Sequence, residues 1–217
     1  MPRPELPGEA PPGGPSEAGW TAAILAGGES RRLGTRHKAR LRLGGASVLD
    51  RQLALLGKVV GRTIIIANDP EVYGGYGVPV VADLAPHRGA LGGLYTAVQA
   101  AGTDRTLVIA CDMPFLTEPL VGYLVEAGRT VDIAIPRTAR GYEPLCATYS
   151  RGSAAELLRR IDEKRFKLSD VALIAGLSIR EIASKELERF GPEDVLFFNI
   201  NTPDDYARAI ELAERKE

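Results

Sequence analysis

Residues 25–38 carry the chemistry that the sequence suggests most clearly, a glycine-rich turn followed by a cluster of basic side chains. The segment follows an apolar run at 20–26 and turns at Gly27-Gly28. From Arg31 to Arg42 there are six Lys or Arg residues and no acidic residue, although the whole chain has a net charge of −1. Backbone N–H groups of such a turn can bind phosphate oxygens, and basic side chains neutralise their charge. The pattern favours a polyphosphate site; the alternative is a strand followed by a solvated basic loop.

The elements that must position this loop are short apolar strands that alternate with helices. Continuous apolar runs predict buried strands at 21–26, 63–67, 78–81 and 106–111. Helical spacing of apolar residues predicts helices over 48–59, 91–101 and 117–127. This alternation predicts an α/β fold in three layers, a mostly parallel sheet with helices on both faces.

Polar side chains follow each of these strands, and they define a candidate site. Asn68 follows the second strand, Asp83 the third and Asp112 the fourth. Parallel strands share one carboxyl edge, where ligands of such sheets bind, so we expect these side chains to meet the basic loop there. Ordinary turn chemistry is the alternative, since Asn, Asp and Gly all favour turns.

The second half of the chain has a less regular pattern. It predicts strands at 131–135, 145–149 and 178–182, with a turn at Arg140-Gly141, and helices at 153–161 and 168–175. Thr202 and Pro203 have the residue types of a helix cap and first turn, so a final helix should begin there.

Composition narrows the class of protein further. The 217 residues are 45% hydrophobic, enough for a core, and we expect one domain at 20–217 after a flexible Pro- and Gly-rich extension at 1–19. The near-zero net charge argues against nucleic acid as a partner.

The sequence has no apolar run that could span a membrane and no signal-like start. Cys111 and Cys146 lie in apolar runs, so we expect buried, reduced thiols and a cytoplasmic protein, and the Cys and His spacing does not indicate a zinc site.

Four motifs in order resemble those of one enzyme family. The string Leu-Ala-Gly-Gly-x-Ser-x-Arg-x-Gly-x-x-x-Lys at 25–38 resembles the start of nucleotidyltransferases that activate phosphorylated small molecules. The motifs at 83–94, 110–115 and 198–203 then resemble molybdenum cofactor guanylyltransferases. The resemblance runs from about Thr21 to Ala209 and departs from the family pattern at Leu33, His37 and Ala90.

The resemblance implies a three-layer, Rossmann-like nucleotidyltransferase fold and a specific reaction. GMP would pass from GTP to the terminal phosphate of molybdopterin, with pyrophosphate as the leaving group. The implied GTP contacts are Leu25, Ala26, Gly27, Lys38, Asn68, Asp83 and Asp112, and Asp112 matches the Mg²⁺ ligand. The glycine-rich loop adds Gly28, Ser30, Arg32 and Gly34 to the predicted nucleotide-binding residues.

Charge compensation is the main chemical demand of this reaction, because an anionic phosphate attacks a triphosphate. We therefore predict that Lys38 and Arg32 stabilise the departing pyrophosphate, and that Asp112 holds Mg²⁺. A carboxylate or amide oxygen of Asp83 or Asn68 could select guanine. Asn199 and Asn201 could assist the metal or serve only as turn and cap residues. Arg137, Arg140 and Tyr142 are candidates for contacts with the pterin.

Two alternatives stay open from sequence alone. One is a related cytidylyl- or sugar-phosphate nucleotidyltransferase; the other is a non-catalytic carrier that hands the cofactor to an apo-enzyme. Loss of Lys38 or Asp112 would mark the carrier, and both residues are present. A dehydrogenase fits less well, because the loop lacks Gly-x-Gly-x-x-Gly spacing. Transient contacts with cofactor-synthesis proteins or apo-molybdoenzymes are possible partners of the predicted enzyme.

Overall fold

A computed structural model describes residues 19–27 and 38–215. The strands of this part of the chain are β1 (Trp20–Leu25), β2 (Arg42–Leu43), β3 (Ala46–Ser47), β4 (Arg62–Ile66), β5 (Val80–Val81), β6 (Arg105–Ala110), β7 (Ile133–Thr138), β8 (Gly141–Tyr142), β9 (Cys146–Ser150) and β10 (Ile179–Ala183). The α-helices are α1 (Val48–Leu56), α2 (Pro70–Tyr73), α3 (Gly89–Ala100), α4 (Glu118–Ala127), α5 (Ser153–Asp162), α6 (Ser184–Leu187), α7 (Glu193–Leu196) and α8 (Pro203–Glu214). None of these helices is long and apolar enough to cross a bilayer.

The central sheet has the order β10-β7-β9-β6-β1-β4-β5, with β8 paired to β7. Strands β6, β1, β4 and β5 run parallel, and so do β7 and β10. Strand β9 is antiparallel to both β6 and β7. The predicted mostly parallel sheet is therefore confirmed. The order reverses beside β1, where the chain first adds β4 and β5 on one side and later β6 on the other, and this is where α/β sheets form ligand crevices.

Alternation along the strands explains why helices cover both faces. On β1, Ala22 and Ile24 pack in one apolar cluster with α1 and α4, and Ala23 packs in another with α3 and α5. A third cluster joins α8 to the loop residues Phe115 and Phe198. Residues in the middle of β1, β4 and β6 are fully buried, which accounts for their continuous apolar sequences.

Helix ends follow the cap signals in the sequence. Ser47 caps α1 and forms a capping box with Asp50. Thr202 does the same for α8 with Asp205, and Pro203 occupies the first turn, as predicted. The helices predicted at 91–101, 117–127 and 153–161 are also confirmed, with ends shifted by at most two residues.

Some element ends differ from the prediction, since the helix expected over 48–59 ends at Leu56 and the strand expected at 131–135 is β7 (Ile133–Thr138). Three further predictions were wrong in detail. The helix expected at 168–175 is a 3-10 helix over Leu168–Leu173, tied to α5 because Arg160 contacts the Lys167 carbonyl at 3.4 Å and the Asp170 carboxylate at 3.7 Å. Strand β5 begins at Val80 rather than at residue 78, since Pro79 has no N–H to donate. The turn expected at Arg140-Gly141 comes one residue earlier, because Gly141 already belongs to β8.

Candidate active site

A cleft of about 710 Å³ opens at the carboxyl ends of β1, β4 and β6. Of the predicted nucleotide-binding residues, the described ones all line this cleft, namely Leu25, Ala26, Gly27, Lys38, Asn68, Asp83 and Asp112. Asn68, Asp83 and Asp112 each follow a strand of the parallel part of the sheet. The shared carboxyl edge thus brings together side chains that are far apart in sequence. Gly28, Ser30, Arg32 and Gly34 lie outside the described residues, so their predicted roles stay predictions.

Lys38 and Asp112 lie side by side in this cleft. The Lys38 ammonium is 3.5 Å from Oδ2 of Asp112, and both side chains are largely buried. Lys38 also donates a hydrogen bond of 2.6 Å to Oδ1 of Asn201. A basic residue from the end of the glycine-rich loop is therefore held next to the carboxylate that follows β6.

The Asp112 carboxylate is positioned by the backbone around it. The backbone carbonyl oxygen of Asp112 accepts a hydrogen bond of 3.0 Å from the Ile200 N–H. This bond fixes the segment before α8 against the end of β6. Gln52 of α1 donates to the carbonyls of Ala110 and Met113, at 2.8 and 3.0 Å. These bonds to residues on both sides of Asp112 fix the turn that carries it.

Burial raises the pKa of the Asp112 carboxyl above its usual range, and the nearby Lys38 opposes this effect only in part. Oδ1 of Asp112 is buried and has no hydrogen-bond partner among the described residues. A buried, unpartnered carboxylate oxygen costs free energy unless a cation or donor reaches it. Such an oxygen is the ligand that Mg²⁺ prefers, so the residue present fits the predicted metal. In the described part of the chain, no cluster of three or more His, Cys, Asp or Glu residues could hold a metal by itself.

The opposite wall of the cleft consists of Asn68, Asp83 and the start of α3. The Asp83 N–H donates to Oδ1 of Asn68 at 2.9 Å, which links the loop after β4 to the loop after β5. Gly92 allows α3 to approach this loop, since a Cβ there would lie 2.4 Å from the Ala85 carbonyl oxygen. His87 and Gly89 lie at the rim, both with positive φ.

Other candidates from the sequence are engaged in contacts of their own. Arg137 and Tyr142 both contact the Glu181 carboxylate, at 3.2 and 2.7 Å. Arg140 donates to the carbonyl of Phe197 at 2.7 Å. None of the three belongs to the residues that line the cleft. Their proposed contact with a pterin stays a prediction.

Sequence reasoning missed two residues that support the site, and it missed the contact made by a third. Asn201 is predicted to assist the metal or to serve as a turn or cap residue, and its side chain accepts a hydrogen bond from Lys38. Gln52 and Thr96 were not singled out. Each is a polar residue on the buried side of a predicted amphipathic helix, and that mismatch is the signal that could have found them.

This fold places a basic residue and a buried carboxylate at the switch in strand order, an arrangement that suits a nucleotidyltransferase. Residues 22–175 match the profile of the MobA-like NTP transferase domain, and the chain belongs to that family. It is 34% identical over 190 residues to a molybdenum cofactor guanylyltransferase of Desulfosudis oleivorans, with 87% of this chain and 93% of the relative covered. It is 36% identical over 191 residues to a probable molybdenum cofactor guanylyltransferase of Chloroflexus aggregans, covering 84% and 89%.

A solved structure supports the same family. The molybdopterin-guanine dinucleotide biosynthesis protein A of Archaeoglobus fulgidus is 28% identical to this chain and superimposes with a TM-score of 0.75. The match covers 90% of this chain and 99% of that protein. Sequence and structure therefore agree on the family over almost the whole chain.

Proposed function

We propose that this protein transfers GMP from GTP to the terminal phosphate of molybdopterin and releases pyrophosphate. The observation that carries the proposal is the contact of Lys38 with Asp112, 3.5 Å apart, in a cleft lined by the residues that the family resemblance assigned to GTP. The names of the curated relatives support a guanylyl group as the group transferred and the molybdenum cofactor as its acceptor.

The chemistry follows from the charges of the cleft. The molybdopterin phosphate is already ionised at neutral pH, so no general base is required, and the task of the protein is alignment and charge compensation. Lys38 supplies a positive charge where the triphosphate would lie, held in place by Asn201. We propose that Arg32, the second predicted basic residue, acts with it as pyrophosphate departs.

Asp112 is the residue that we propose to hold Mg²⁺, through the carboxylate oxygen that has no partner among the described residues. When bound, Mg²⁺ would neutralise charge on the phosphates. Lys38 touches the other carboxylate oxygen, so a single side chain would connect the metal and the lysine. Asn201 is engaged by Lys38, which favours a positioning role for it over metal ligation.

We also propose a reducing compartment, the cytoplasm, as the place of action. Cys111 and Cys146 are both buried and free, and burial raises the pKa of the Cys111 thiol to about 12. Protected, protonated thiols of this kind suit a reducing environment. Proteins that supply molybdopterin or accept the dinucleotide cofactor are the transient partners that this function would need.

Pyrophosphate release with molybdopterin and Mg²⁺, measured separately with GTP, CTP, ATP and UTP, tests the proposal. We expect GTP to be strongly preferred.

Replacing Lys38 with Ala should lower the rate about 100- to 1,000-fold, by analogy with the loss of one preorganised charge-stabilising donor. Lys58→Ala is the matched control, since Lys58 is exposed and pairs only with Glu118 on the surface among the described residues. A preference for CTP, or full activity of Lys38→Ala, would contradict the proposal.

A further inference from the structure

Thr96 lies on α3 behind the wall of the cleft that carries Asp83, and it joins α3 to the loop that follows β5. Its side chain is fully buried. Oγ1 accepts a hydrogen bond of 2.9 Å from the Leu84 N–H. The hydroxyl has one proton to donate and two acceptors within reach, since Oγ1 lies 2.8 Å from Oδ1 of Asp83 and 2.9 Å from the Gly92 carbonyl oxygen. One hydroxyl group thus contacts both the side chain and the backbone of this loop.

These contacts divide the Asp83 carboxylate into an engaged oxygen and an available one. Oδ1 accepts from Thr96 and from the Ala85 N–H, the latter at 2.9 Å. Among the residues that the structure describes, both hydrogen bonds of the carboxylate go to Oδ1, while Oδ2 lies near the start of α3, 3.4 Å from where a Cβ of Gly92 would be. Because Asp83 lines the cleft, Oδ2 is the oxygen left for a ligand.

The contact between Asn68 and Asp83 decides which of the two side chains can accept a hydrogen bond from a ligand on this wall of the cleft. The Asp83 N–H can only donate, so the Asn68 amide must turn its oxygen toward it, as the 2.9 Å contact shows. The oxygen of Asn68 is therefore engaged and its NH₂ group is the part left for a ligand. Guanine presents N1–H and N2–H donors along one edge, which a carboxylate oxygen can accept, together with an O6 acceptor.

We infer that Thr96 is a positioning residue that fixes the Asp83 carboxylate for reading the N1–H and N2–H edge of guanine, and so sets base selectivity. This inference rests on the proposed function. Without the hydroxyl, the Leu84 N–H loses its partner and the carboxylate is held by the Ala85 N–H alone. The carboxylate can then rotate. The difference in binding free energy between guanine and a base that lacks one of its two N–H donors should therefore become smaller.

The test compares GTP with ITP, which differs from it only by lacking the 2-amino group. Thr96→Val removes the hydroxyl at nearly constant volume, and Thr96→Ser keeps it. Thr106→Val is the matched control, because Thr106 is also a fully buried threonine, its hydroxyl has no partner among the described residues, and it lies near the start of β6. KM and kcat for both nucleotides, and equilibrium binding of GTP, are measured for all four proteins.

We expect Thr96→Val to raise KM for GTP about 10-fold or more, the loss of one hydrogen bond to a charged group, with kcat changed less than about 3-fold. The GTP-to-ITP ratio of kcat/KM should shrink, while Thr96→Ser and Thr106→Val should keep the wild-type ratio.

Should Thr96→Val unfold at the assay temperature, Thr96→Ala carries the same comparison at lower temperature. If wild-type protein binds GTP but the hydroxyl-free variants keep its GTP-to-ITP ratio, the inference is overturned alone. If wild-type protein does not bind GTP, the proposed function is overturned, and the inference with it.

Discussion

At the scale of single residues, Asp112 shows how a site can conflict with stability. Burial raises the pKa of its carboxyl despite Lys38, so the charged form is less favourable in the folded chain than in the unfolded one. A carboxyl whose folded pKa is raised lowers stability once the pH exceeds its unfolded pKa, and for an aspartate that pKa lies well below neutral pH. The residue is thus better explained by its chemistry than by a contribution to folding.

We therefore predict that Asp112→Asn raises the midpoint of urea unfolding at pH 7 while lowering turnover about 100-fold or more. The amide removes the unfavourable buried charge and keeps the shape of the side chain, but it is a poor Mg²⁺ ligand. Asp162→Asn, at an exposed position at the end of α5, serves as the control and should change neither quantity much. A lower unfolding midpoint for Asp112→Asn would show that attraction to Lys38 outweighs the cost of burial.

At the scale of elements, Asp132 joins three segments at one edge of the sheet. Its carboxylate accepts hydrogen bonds from the Ser178 N–H at 2.9 Å, the Ser178 hydroxyl at 2.7 Å and the Ser150 hydroxyl at 2.7 Å. Ser150 ends β9, Ser178 precedes β10, and Asp132 itself precedes β7. The bonds from Ser178, more than that from Ser150, hold the pKa of this carboxyl below its usual range.

A lowered folded pKa means that the carboxylate stabilises the fold above its unfolded pKa, and that this stabilisation is lost as the pH falls through the folded pKa. We predict that Asp132→Ala lowers the free energy of unfolding at pH 7 by about 1 kcal/mol, a modest value because the site is partly exposed. The difference from wild type should shrink progressively on acidification below about pH 4. Urea unfolding across this pH range measures it, with Glu126→Gln, in an exposed ion pair with Arg129, as the control. A pH-independent difference would contradict the prediction.

At the scale of the whole molecule, the sheet and one rim of the site could be predicted from sequence because both depend on short, local sequence patterns. Buried parallel strands have continuous apolar sequences, and their carboxyl ends share one edge, so Asn68, Asp83 and Asp112 could be placed together from strand ends alone. The turn expected near Arg140-Gly141 predicts that β9 runs antiparallel to β7, as it does. The insertion of β9 between β7 and β6 could not be predicted, since no local pattern records which strand it pairs with on its other side. Nor could the contact of Lys38 with Asn201, which joins residues 163 positions apart.

The same architecture predicts that ligand binding stabilises the whole fold. The cleft is built from the ends of β1, β4 and β6 and the start of α3, and Lys38 links it to the segment before α8. Unfolding of any of these elements would destroy the site, so GTP with Mg²⁺ should bind the folded state only. At GTP concentrations about 100 times Kd, we expect about 2.7 kcal/mol of added stability by linkage. Thermal unfolding with and without GTP measures this, and the shift should be smaller without Mg²⁺ or in Asp112→Asn. An unfolding temperature that GTP and Mg²⁺ leave unchanged would contradict a nucleotide site formed by all of these elements together.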